Sequence, residues 1–333
     1  MAARVEVWRG AVVESRHDVS VAVVDAAGRL RAWAGEPHLV TYARSAIKPF
    51  QALPLVTDGA ARRFGFGATE LAVCCASHNG EPGHLEAVSR ILERIGADPG
   101  ELACGPAQPL GEAAARRLRE LGETPGRLHN NCSGKHAGML ALALHHGWPR
   151  SGYHRADHPV QRRILAEVAD WAGIPVEDLG VGVDGCGVPT VSMPLAALAG
   201  AFARFAAAAR AGDGGAAVIA DAMVRAPWYI GGTDRLCTEL VDAAGGRILA
   251  KIGAEGVYVA AIPGAELGVA LKVHDGARRA AEPMLIAVLR ALGLLSEDEV
   301  ARLARHAHPE VANTRGEVVG VIRASVALES GVG

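Results

Sequence analysis

The chain has 333 residues, 50% of them apolar, 21% charged and 4% aromatic, with a formal net charge of −2. This length and apolar share suffice for a sizeable core in one large domain or two modest ones, and the balanced charge argues against a nucleic-acid binder or a disordered acidic chain and for a small-molecule partner. The opening MAARVEVWRG lacks the apolar run of a secretory signal, and no apolar stretch is long enough to span a bilayer, so a cytoplasmic protein away from the membrane is expected.

Residues 4–9 and 19–26 alternate apolar and polar positions and predict two strands, with AAGR at 26–29 turning into a third stretch, RLRAWAG. From Ser45 to Val56 the pattern is helical but carries Pro49 and Pro54. The run LAVCCA predicts a buried strand entering a polar turn. Apolar residues three and four apart predict helices over 84–96, 111–121, 134–146 and 158–172, the last with Asp157 as N-cap. Helices are also predicted over 191–211 and 214–225, short strands with glycine turns over 245–276, and helices over 277–293 and 296–306 before a terminal strand, VVGVIRASV. This order lacks the βαβ alternation of a doubly wound sheet. It predicts an α/β fold of the α+β type: a mostly antiparallel sheet built from both chain ends, flanked by helices, with a helical lobe inserted. No linker marks a boundary, so 1–333 is read as a single domain.

Five segments concentrate reactive groups. In Arg44-Ser45-Ala46-Ile47-Lys48-Pro49 the serine and lysine are three apart, on one face of a helix. A neutral lysine there can take the hydroxyl proton. Pro49 suits a first helical turn, which would set Ser45 beside free N–H groups able to hold an oxyanion. The spacing alone occurs often by chance and fits an ordinary N-cap serine followed by a surface lysine better. CCASHNGEPGH presents Ser77, His78 and Asn79 for chemistry, or is a polar loop turning at Asn79-Gly80. LHNNCSGKHAG sets Cys132 three from Lys135 and four from His136, or is a helix start capped by Ser133. In VDGCGVPT the Cys186 thiolate can join Cys132 on a soft metal such as zinc and Asp184 can hold an α-ammonium group, or the segment is a glycine turn with a small buried cysteine. Lys251-Ile252-Gly253 is a Lys-x-Gly on a strand, too short a pattern to decide anything alone. The six cysteines are not spaced as a disulfide framework, so free thiols or metal ligands are expected.

Taken together, RSAIKPFQALPLV, CCASHNGEPGH, LHNNCSGKHAGML, VDGCGVPT, KIGAEGV and ALKVHDGA span nearly the whole chain and resemble the asparaginase II family, the rhizobial-type L-asparaginases. The resemblance implies a fold like that of serine β-lactamases and glutaminases. It implies hydrolysis of L-asparagine to L-aspartate and ammonia by two Ser–Lys tandems: Ser45 with Lys48, and Ser77 with Lys251, for which Lys272 is the rival. It also implies a homodimer, and a zinc held by Cys132, Lys135 and Cys186 that orients substrate rather than activating water. Arg44, His136 and Asp184 are then expected to hold the α-carboxylate and α-ammonium groups, with His78, Asn79 and Gly80 around the substrate. A glutaminase or β-lactam hydrolase on the same scaffold, or a non-catalytic amino-acid binder, are the alternatives, since one methylene changes binding only modestly.

Overall fold

In the computed structural model, which describes residues 3–331, the alternating segments at the two chain ends pair into one antiparallel sheet. Strand Ala3–Arg9 buries every second side chain, Ala3, Val5 and Val7. It lies between Val12–Asp25 and Val318–Val326, with Val5 opposite His17 on one side and Ala324 on the other. The sheet continues from Val12–Asp25 through Leu267–Val273 and Val257–Ile262 to Leu249–Ile252, and on the far side from Val318–Val326 to Glu310–Ala312. Leu30–Ala34 branches from Val12–Asp25 and carries Glu329–Ser330 on its other edge. Val257–Ile262 is buried at every position, as an inner strand covered on both faces must be. The helix Arg278–Ala291 packs on this sheet and buries Ala281, Met284, Leu285 and Val288 among others.

The chain forms two compact units: Met1–Ala46, Met193–Ala207 and Glu239–Gly333 in the first, and Ile47–Ser192 with Ala208–Thr238 in the second. The sheet belongs to the first. The second is built of helices around Ser133–His146, whose residues are buried without a break from Ser133 to Ala143. A helix apolar on all sides belongs at the centre of its bundle. Lys48–Thr57, Ala68–Cys74, Pro82–Ile95 and Pro159–Ala172 surround it. Gly134 sets one of these contacts: a Cβ there would lie 2.2 Å from Val73 O, so two main chains touch where a side chain is missing. In the same unit Gly180–Val183 pairs antiparallel with 189–192 around the DGCG turn.

The predicted α+β arrangement is therefore present, with four local corrections. LAVCCA is helical up to Cys74, in Ala68–Cys74, and not a strand. A run buried throughout has no period to tell the two apart, and Glu70 caps the helix by accepting from Gly67 N at 2.9 Å. The segment 191–211 begins as strand Pro189–Pro194 and turns helical only at Leu195. The cap of Pro159–Ala172 is His158, whose Nδ1 accepts from Val160 N, and not Asp157. Residues 44–47 form a 3-10 turn and the α-helix begins at Lys48, so Ser45 stands before the helix start. Among the described residues no helix is long and apolar enough to cross a membrane.

Candidate active site

Ser77, His78 and Asn79 follow the helix Ala68–Cys74, and neighbouring backbone fixes them. Ser77 N donates to Ile230 O at 3.0 Å, Asn79 N to Gly231 O at 2.8 Å and His78 N to Asn131 O at 3.3 Å. Lys48 opens its helix with its side chain wholly buried. Its Nζ donates to Ala76 O, to Ser77 Oγ at 3.0 Å and to Cys132 Sγ at 3.2 Å. The hydroxyl bonded to Lys48 is thus that of Ser77, a pairing between residues 29 apart that no local spacing encodes.

Cys132 is the N-cap residue of the Ser133–His146 helix, and Lys135 follows within its first turn. Lys135 Nζ donates to Cys186 Sγ at 3.0 Å. The Cys186 thiol beside it holds the Cys132 thiol well below the ordinary thiol range; burial opposes this, and the charges of Lys48 and Lys135 assist it. The neighbouring Cys132, with burial, pushes Cys186 up. Burial pulls the Lys135 amine down, but Cys132, Cys186 and Asp184 outweigh it and the net shift is upward. Two sulfurs and an amine thus converge, a donor set that suits a soft ion. Zinc there would displace the protons now on Cys186 and Lys135. Among the described residues no cluster of three His, Cys, Asp or Glu side chains offers another site.

Two buried histidines flank this centre. His78 Nδ1 accepts from Gly80 N at 3.1 Å, so its Nε2–H donates to Ser133 Oγ at 2.9 Å, which in turn donates to Leu128 O. Burial, with the charges of His84, Lys48 and Arg235, keeps His78 far below its usual range, so it is a neutral, fixed ring. Tyr153 OH accepts from Ala103 N and lies 2.8 Å from His136 Nδ1. His136 Nε2 is buried without a partner among the described residues. Such a polar atom is costly unless a ligand or water meets it. Asp184, half-buried, accepts from Gly185 N at 2.8 Å.

The remaining expected residues belong to the first unit. Ser45 is half-buried in the Arg44–Ile47 turn, where Arg44 takes a left-handed φ of 51°. Lys251 is wholly buried on Leu249–Ile252 and donates to Ile252 O at 2.8 Å. Lys272 is half-buried, its amine lowered by burial against the pull of Glu255 and Asp275, and it donates to Glu255 O and Val273 O.

One residue near Ser77 escaped the sequence reading. Arg235 is 6% exposed, and its Nη1 donates to Asn79 Oδ1 at 2.8 Å. The surrounding GGTDRLCT carries no motif that would have flagged it.

Among solved structures, one titled "Crystal Structure Analysis of Mglu" aligns at 18% identity over 85% of this chain and 69% of that one, with a TM-score of 0.36, too slight a likeness to support an argument. No curated protein matches the chain. The sequence model described as L-asparaginase II matches residues 5–324, a span that takes in all of the segments above. The chain belongs to the L-asparaginase II family, whose activity is that of an asparaginase-type amidohydrolase.

Proposed function

We propose that the protein hydrolyses L-asparagine to L-aspartate and ammonia through a serine ester, with Lys48 moving the protons. The observation that carries this reading is the buried hydrogen bond from Lys48 Nζ to Ser77 Oγ at 3.0 Å. A lysine held against a serine hydroxyl away from water is the pairing that nucleophilic amide hydrolysis requires. Ser45, three positions before Lys48 in the chain, attacks the side-chain amide carbon. A C–O bond forms, the carbonyl becomes an oxyanion, and Lys48, neutral at that moment, takes the hydroxyl proton. Backbone N–H groups near Ser45 are the donors for the oxyanion, since those of Ser77, His78, Asn79 and Gly80 are already bonded within the chain. As the C–N bond breaks, the proton passes from Lys48 through Ser77 Oγ to the leaving ammonia, with Lys251 as the partner lysine of Ser77. Water then cleaves the ester.

His136 Nε2, which lacks a partner, is available to hydrogen-bond the substrate. Asp184 complements the α-ammonium group, with Arg44, His78, Asn79 and Gly80 around the substrate. Cys132, Cys186 and Lys135 would hold zinc, which when bound supplies a fixed charge for orienting the polar end of the amino acid. The expected homodimer is checked by light scattering.

Ammonia release from L-asparagine, beside L-glutamine and nitrocefin, tests the activity. Release from none of the three would end the reading, and binding of asparagine without release would favour a non-catalytic amino-acid binder. A second assignment is favoured by the same 3.0 Å bond: Ser77 itself attacks. Intact-mass trapping of the ester in Ser45→Ala and Ser77→Ala separates the two, because only loss of the attacking serine removes the adduct.

A further inference from the structure

We propose that Arg235 is the anchor for the substrate α-carboxylate, and so sets the requirement for an amino-acid amide rather than a simple amide. This rests on the amidohydrolase reading of the Ser77 site.

Arg235 carries a permanent charge into a buried position, being 6% exposed. Among the described residues no carboxylate pairs with it, and its side-chain hydrogen bond goes to the neutral amide of Asn79. Glu81, bonded to the same Asn79, has its oxygens taken by Asn79 Nδ2 at 3.2 Å and by Thr233 Oγ1 at 3.2 Å. The histidines beside Arg235 supply no negative charge. His78 and His84 are both lowered first by burial, with Arg235 itself adding to the effect. A buried cation without a counter-ion is expensive, and native proteins normally pair it.

Holding Asn79 in place does not account for that cost. Asn79 N already donates to Gly231 O at 2.8 Å, and its Nδ2 to Thr233 O at 2.8 Å. Gly232 and Gly111 press on the same side chain, where a Cβ would lie 2.8 Å and 2.9 Å from Asn79 atoms. A neutral donor would serve the remaining oxygen. What a guanidinium adds is a planar fork able to bind a carboxylate through two parallel N–H groups while one nitrogen stays on Asn79. Asn79 is two residues from Ser77, whose hydroxyl accepts from Lys48 Nζ at 3.0 Å.

The test compares wild type with Arg235→Gln and Arg235→Lys. Two substrates are used: L-asparagine, and 3-aminopropanamide, which is asparagine without its carboxylate. Binding of the product L-aspartate is measured separately by calorimetry. Arg235→Gln should lose about 100-fold in kcat/KM on asparagine and in aspartate affinity, the size expected when a charged hydrogen-bonding partner is removed. On 3-aminopropanamide it should equal wild type. Arg235→Lys, which keeps the charge but not the fork, should fall in between, and it decides the question if the glutamine variant does not fold. An equal loss on both substrates would overturn the proposal and leave Arg235 as a support for Asn79, and so would unchanged aspartate affinity. If wild type binds aspartate through Arg235 but releases no ammonia, the hydrolytic reading fails while the anchor stands.

Discussion

Each unit buries a polar cluster, and the two are finished differently. In the sheet-bearing unit, His306 is 5% exposed and each ring nitrogen meets a carboxylate oxygen, Glu282 Oε2 at 2.8 Å and Glu239 Oε2 at 2.9 Å. Arg305 adds a further ion pair to Glu239. In the helical unit, Lys48, Ser77, Cys132, Lys135 and Cys186 are linked into one network, yet His136 Nε2 has no partner and Arg235 has no counter-ion among the described residues. A cluster whose donors and charges are all matched holds a fold together. One that leaves a buried ring nitrogen and a cation unmatched is shaped for something that is not part of the chain.

The comparison can be broken at several points. The largest effect is expected at Lys48: Lys48→Met should lower kcat on L-asparagine by about 1,000-fold or more, as loss of a proton-transfer group does. A loss under about 10-fold in steady-state ammonia release, with circular dichroism unchanged, would remove Lys48 from the chemistry. At the other cluster the expected sign is stability, not turnover. His306→Ala leaves two acids facing one another and should cost about 2–3 kcal/mol in urea unfolding while KM stays put. A shift in KM would mean the matched cluster is not merely structural.

The third prediction uses pH. Burial lowers His84 from 6.5 to about 4, against the bond to Trp228 O and the charge of Glu81, which raise it. Between those values the unfolded chain binds the extra proton, so stability rises with pH. The contribution is whole above about 6.5 and is lost as pH falls toward about 4, amounting to on the order of 3 kcal/mol. His84→Gln should flatten that part of the stability profile, and an unchanged slope would assign it to other groups. The smallest effect is expected from a chelator, which should raise KM for asparagine several-fold and leave kcat within about 3-fold, since the metal is assigned orientation and not water activation.

What the sequence could disclose follows from which interactions are local. Strand 4–9 was readable because alternation along it reports its buried face. The helix at 133–146 was readable to within a residue from its pattern and terminal glycine. LAVCCA was not, because a segment buried on every side looks alike as helix or strand. Cys132, Lys135 and Cys186 were brought forward by motif and do converge. The bond from Lys48 to Ser77 and the burial of Arg235 were beyond reach, since both depend on where distant backbone falls and neither residue type is unusual at its position.

Replacing helical glycines with alanine is a common route to a more heat-resistant enzyme, worth about 1 kcal/mol at an exposed position. Gly134 is where that recipe reverses, because an added methyl would collide with the carbonyl of Val73. The next residue along is Lys135, so whatever shift relieves the collision also moves a group on the sulfur pair. An engineer seeking thermal tolerance should leave this helix alone and work on the exposed turns.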